Sequence, residues 1–166
     1  MAVRKFHFGP QPALDRAVAR QSECEKALVA AREVLARERD KLEAIAGRIA
    51  EIRQQIADEL DKISAEMRSP IAASSVQARQ GYVDGLRRRE ARQLHAKQEQ
   101  EEQVRWAVQM LEVRRSELAE SMNEVMALEK AKERAHTEFK ARLRKAEEKE
   151  RDDIAISRGV KKRPPS

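Results

Sequence analysis

Aromatic side chains are scarce in this chain of 166 residues: one Trp, one Tyr and three Phe, 3% of the total, beside 39% charged residues. Such a makeup excludes an ordinary globular interior and matches long helices with a narrow apolar seam. Cysteine is limited to Cys24, which excludes an intrachain disulfide and fits a reducing compartment. It lies on a helical stripe four residues before Leu28 and reads as a small buried residue, not a reactive thiol. No apolar run approaches the ~18 residues of a membrane span. The start, MAVRKFHFGPQP, has basic residues but not the apolar stretch of a secretory signal. These absences predict a cytosolic protein.

Proline and glycine number five each. Gly9, Pro10 and Pro12 make residues 1–12 irregular, with Pro12 suited to a first helical turn, where its missing donor would be unpaired anyway. No proline follows from Ala13 to about Met67, and Gly47 is the one weak point, costing about 1 kcal/mol relative to Ala.

Within that stretch the apolar residues fall at Leu42, Ile45, Ile49, Ile52, Ile56, Leu60, Ile63 and Met67, with Leu28 and Leu35 upstream. Spacings of three and four mark one face of an α-helix. A stripe this narrow on a charged helix needs a second long helix to cover it. Such a helix of ~55 residues would be about 80 Å long. The run RSPIAASSVQARQGYVDG then breaks the pattern, with Ser69-Pro70, Ser74 and Ser75 as caps, and predicts a turn at about 68–75.

A return helix follows to Arg158. Its seam candidates include Val83, Leu86, Leu94, Val104, Val108, Leu111, Leu118, Met122, Val125, Leu128, Phe139 and Leu143, interrupted by Glu90, Lys97 and Glu101. The expected fold is therefore all-α, a long two-helix antiparallel coiled-coil hairpin over residues 13–158. Folding about residue 72 sets Leu35 near Gln109 and Leu14 near Lys130. Residues 130–158 would project past the first helix by ~40 Å. Gly159 and Pro164-Pro165 lead into a flexible basic tail, 159–166.

The net charge of +6 is local. It gathers at Arg4 and Lys5, at Arg79, Arg87, Arg88, Arg89 and Arg92, and at Arg158, Lys161, Lys162 and Arg163. The remainder is slightly negative, which indicates basic contact points rather than a nucleic-acid-coating surface. There is no phosphate loop, dinucleotide turn, HExxH or paired-Cys zinc spacing. His7, His95 and His136 stand apart from any metal or nucleophile partner, so no enzyme, cofactor or metal is expected. Tyr82 and Leu86 beside the arginine cluster read as an aromatic anchor with a basic rim. Trp106 lies off the seam and is a further interface candidate. The run KAEEKERDDIAISR by itself reads as a solvated helix end laced with pairs such as Glu147 with Arg151.

A hairpin of this length, a turn leading into a Tyr-and-Leu stretch, and the run Glu148, Lys149, Glu150, Arg151, Asp152, Asp153, Ile154, Ala155 before a basic, proline-bearing end resemble the FliJ/YscO family of type III export stalk proteins. The resemblance covers most of the chain. It implies a non-enzymatic coiled coil that binds the hexameric export ATPase and the cytoplasmic domain of the membrane export gate, and handles substrate chaperones. It implies gate binding at Tyr82, Leu86, Arg89 and Gln93. It implies ATPase binding at Phe139, Leu143, Lys149, Arg151, Asp152, Asp153 and Ile154, with residues 14–28 entering the ring beside them. The protein would be cytoplasmic and peripherally associated with the inner-membrane export apparatus. Flagellar and virulence-type systems both stay open, the tail favouring the flagellar. On this reading Leu86→Glu spares helicity and weakens gate docking.

Two other readings remain, a generic coiled-coil scaffold or chaperone and a basic helical arm for nucleic acid. The seam could also close between two chains, which concentration-dependent small-angle scattering would reveal. Because phosphate contacts impose a steep salt dependence, the confined basic points predict no measurable DNA or RNA binding at about 50 mM salt. A filter-binding titration that detects it would favour the helical arm.

Overall fold

The computed structural model describes residues 5–68 and 73–160, with side chains through residue 157. The expected Ser69-Pro70 cap, Arg4 and the tail from Lys161 lie outside the described residues, as does the side chain of Arg158. Two helices carry the chain: α1, Gln11–Glu66, and α2, Ala73–Val160. They pack against each other as an antiparallel helical hairpin, with no strand among the described residues. Pro10 caps α1, its carbonyl accepting from Leu14 N at 3.1 Å. Pro12 therefore falls where a helix leaves its first N–H groups unsatisfied and loses nothing.

The chain divides into two compact units, each built from a stretch of both helices: Lys26–Ser116, and Met1–Glu25 with Glu117–Ser166. In the Lys26–Ser116 unit the helices run in opposite directions, since Glu66 meets Ser75, Arg53 meets Glu90 and Glu38 meets Gln100. Inward positions alternate strictly by three and four. On α1 they include Leu28, Leu35, Ile49, Ile52 and Ile63, and on α2 Val83, Leu86, Ala107 and Leu111, all buried. Each aliphatic side chain so covered contributes on the order of 1.5–3 kcal/mol.

That alternation corrects the expected seam. Continued from Ile56, it turns Glu59, Ile63 and Glu66 inward and leaves Leu60 40% and Met67 70% exposed. On α2 the inward positions fall on Gln93 and Ala107, while Leu94 and Val108, one residue later, are exposed. A helix in continuous contact with a partner must keep one face toward it, and a doubled step of four walks off that face. Pattern therefore overrides the hydrophobicity of any single residue.

Several of the polar inward residues are paired across the helices. Arg79 Nη1 donates to Glu59 Oε2 at 2.8 Å and its Nε to Glu66 Oε1 at 2.9 Å. Ser75 Oγ donates to Glu66 Oε2 at 2.7 Å. Gln100 Nε2 donates to both the carbonyl and the carboxylate of Glu38, at 3.0 and 2.5 Å. Arg53 Nε reaches Glu90 at 2.6 Å. The residues expected to interrupt the pairing thus include one, Glu90, that holds a cross-helix bond.

In the other unit, Leu14, Ala17 and Val125 form a buried cluster with Leu128 packed on it. Arg20 meets Glu124 at 3.5 Å. Ser121, not the exposed Met122, takes the inward position, and its Oγ donates to the Leu118 carbonyl at 2.8 Å. A buried hydroxyl satisfied within its own helix costs little. Residues 5–10 precede α1 and are not a loose leader. Phe8 is buried, and the Phe6 ring lies 4.9 Å from His136 and 5.6 Å from Phe139, centroid to centroid. Part of the α2 stretch expected to project unaccompanied is therefore covered, and continuous exposure begins only at residue 147.

Leu86→Ala should destabilise the protein by about 3 kcal/mol, against less than about 0.5 kcal/mol for Leu94→Ala, in thermal melts followed by circular dichroism. Acid should act at the clasp beside the turn. Lys62 first and Arg79 second hold the Glu59 carboxyl below the usual glutamate range, and Ser75 with Arg79 does the same for Glu66. Depressed folded values mean that this stabilisation is complete above the unfolded value of about 4.3 and is lost as pH falls through the folded ones. In Arg79→Ala, side-chain carboxyl NMR titrations should show both midpoints moved up toward the ordinary value.

Candidate partner-binding site

The four residues implied to contact a gate component do not share a face. Tyr82 and Arg89, seven apart, both point outward, and Tyr82 is 52% exposed. Leu86 and Gln93, also seven apart, point into the seam, and Leu86 is only 1% exposed. An i, i+4 pair spans adjacent positions on one helix, and here the seam boundary runs between Tyr82 and Leu86. Leu86→Glu therefore buries a carboxylate between the helices and cannot serve as a surface change.

Outward from that boundary the structure adds residues that the spacing of α2 alone could not supply. Arg48, Glu51 and Gln55 of α1 line a groove with Arg89, Arg92 and Gln93 of α2. The Gln93 Oε1 atom is buried there without a hydrogen-bond donor. A signal did exist in the sequence, since Arg48 and Gln55 stand seven apart on the edge of the α1 seam. Only the register between the helices brings them to Arg89.

A second exposed feature is the strip of Trp106 and Val113, seven apart, with half-buried Met110 between them. Trp106 therefore points outward, as expected from its place off the seam.

The residues implied to contact an ATPase also separate. Phe139 and Leu143 are half-buried, and Phe139 is in ring contact with Phe6. Lys149, Arg151, Asp152, Asp153 and Ile154 are exposed in a helical run, 147–157, in which every side chain faces solvent. Ile156, at 65% exposure, belongs to the same run and was missed because the seam pattern has ended there. Glu147 and Arg151 do not form the ion pair that their spacing allows.

Among the described residues no group of three or more His, Cys, Asp or Glu side chains could hold a metal ion. The His136 ring lies against Phe6 at an interplanar angle of 57°, and His95 Nδ1 lies 3.5 Å from Glu99. No helix among the described residues is long and apolar enough to cross a membrane.

The family model for YscO-like proteins matches residues 9–157. The fold is also that of a solved structure from Chlamydia trachomatis, CT670, described as a YscO homolog. The two superpose with a TM-score of 0.83 at 18% identity, covering 96% of this chain and 100% of the other. No curated protein matches the sequence. With a hairpin of this architecture and a family match over nearly its whole length, the chain belongs to the YscO-like family of type III secretion-associated proteins.

Proposed function

We propose that this protein is a non-enzymatic coupling component of a type III export apparatus. It binds the export ATPase ring through residues 147–157 and the cytoplasmic domain of the export gate through the outward face at Tyr82 and Arg89. Substrate chaperones are a third class of partner, and the site of action is the cytoplasmic side of the membrane. The observation that carries the ATPase assignment is the exposed run 147–157, with Ile154 and Ile156 in water beyond the last half-buried residue, Ala146. Apolar side chains held out on an ordered helix, among Lys149, Arg151, Asp152 and Asp153, have the composition of a contact surface awaiting its partner.

Such a component acts by binding alone. A helix that touches ring subunits unequally favours some of their conformations over others, and it shifts their equilibrium only by its difference in affinity for those states. No residue of this chain needs to take part in nucleotide chemistry.

Phe139 and Leu143 lie in the packed part of their unit, so ATPase binding is best tested beyond them. Ile154→Glu with Ile156→Glu leaves the seam untouched and should weaken capture of the cognate export ATPase at least about tenfold, the equivalent of one or two lost apolar contacts. Undiminished capture, with helicity intact by circular dichroism, would remove the ATPase assignment.

A further inference from the structure

We propose that the groove between α1 and α2 at Arg48, Arg89 and Arg92 is a docking site for a short, extended acidic segment of a partner protein, anchored at one end by Tyr82. This deepens the gate-binding reading, on which it rests, by naming the chemistry recognised.

The groove has a volume of about 160 Å3, and Glu51 is the one carboxylate among the residues that line it. Three arginines from two helices line it, and among the described residues none of them has an ion-pair or hydrogen-bond partner. Their neighbours along the same edge of α1 differ. Lys41, one heptad before Arg48, is held by Glu38 at 2.8 Å, and Lys62, two heptads after it, by Glu59 at 2.7 Å. Gln55 between them is uncharged. Positive charge along this edge is therefore neutralised on both sides of the groove and left open within it.

An incoming carboxylate completes what the groove lacks. Guanidinium forks donate bidentately to carboxylates, and three arginines lining one groove favour two or more acidic side chains on one chain. The groove is narrow and runs between the two helices, so it admits an extended segment more readily than a folded surface. Tyr82 stands one heptad before Arg89 on the same face, so a segment lying along α2 meets an aromatic ring beyond the charges. A nucleic-acid backbone fits less well. It requires a continuous basic track, whereas the flanking lysines are already paired and Glu51 lines the groove.

The test uses the full chain and a fluorescein-labelled oligoglutamate peptide, read by anisotropy. Arg48→Glu, Arg89→Glu and Arg92→Glu combined should weaken binding by at least about tenfold. The control, Arg32→Glu, Arg39→Glu and Arg88→Glu combined, makes the same change in net charge on other exposed positions of the same unit and should change affinity by less than about twofold. Circular dichroism of both variants shows whether the hairpin is intact. Equal losses in the two variants would reduce the effect to long-range charge and overturn the site, as would a single-stranded oligonucleotide that binds the groove more tightly than the peptide. The gate's cytoplasmic domain is the second ligand. If it fails to bind while the peptide still distinguishes the variants, the gate reading falls and the groove stands. If it binds the parent and the groove variant equally, the groove is overturned and the gate reading stands on other residues.

Discussion

Every feature of this protein depends on two helices keeping the same narrow face toward each other, step after step of three and four. With so few aromatic residues, the only packing described beside this seam is that of the buried Phe8 and of Phe6 against α2. That requirement decides which side chains are inside even where composition opposes it. It admits Glu59 and Glu66 and expels Leu60 and Met67. It also separates Tyr82 from Leu86, giving the first to partners and the second to the fold.

Polar groups at inward positions are costly unless matched, and here several are matched across the helices, while Gln93 Oε1 is left without a donor. Arg79 spans two glutamates, Gln100 bonds to both a carbonyl and a carboxylate, and Arg53 reaches Glu90. Such pairs seldom add much net stability over an apolar core, because desolvation offsets attraction. What they supply is register, since sliding one helix by a heptad would strand several charges at once. Register in turn sets which α1 residue faces which α2 residue, and so assembles the groove of Arg48 with Arg89 and Arg92.

Much of the fold was legible in the sequence. The long proline-free stretches, the ladder from Leu28 to Ile63 and the break after Met67 suffice for two antiparallel helices, and the family resemblance rested on that hairpin together with the Tyr82 and Leu86 stretch and the run from Glu148 to Ala155. Where reading failed, hydrophobicity had been trusted over phase. Leu94, Val108 and Met122 each sit one residue after the true inward position, occupied by Gln93, Ala107 and Ser121. A strict repeat carried in both directions from Val104 and Leu111 would have found them. Phe6 and Phe8 were lost for a different reason. They lie before the first helix, where no periodicity applies, and only the folded chain shows them against His136 and Phe139. The groove residues of α1 showed only their heptad spacing, because the register that brings them to Arg89 is a property of two segments together.

The inward glutamates of α1 carry one more consequence. Glu38, Glu59 and Glu66 all occupy the same of the two alternating inward positions, and each is answered by a basic or amide group from α2. Were two copies of α1 to zip together side by side and in step, every one of these carboxylates would face its own duplicate without the group that α2 supplies, leaving only Lys41 and Lys62 of the same helix beside Glu38 and Glu59. The acidic seam therefore makes this helix a poor mate for itself, and homotypic parallel pairing is penalised by the same residues that make α2 the preferred complement.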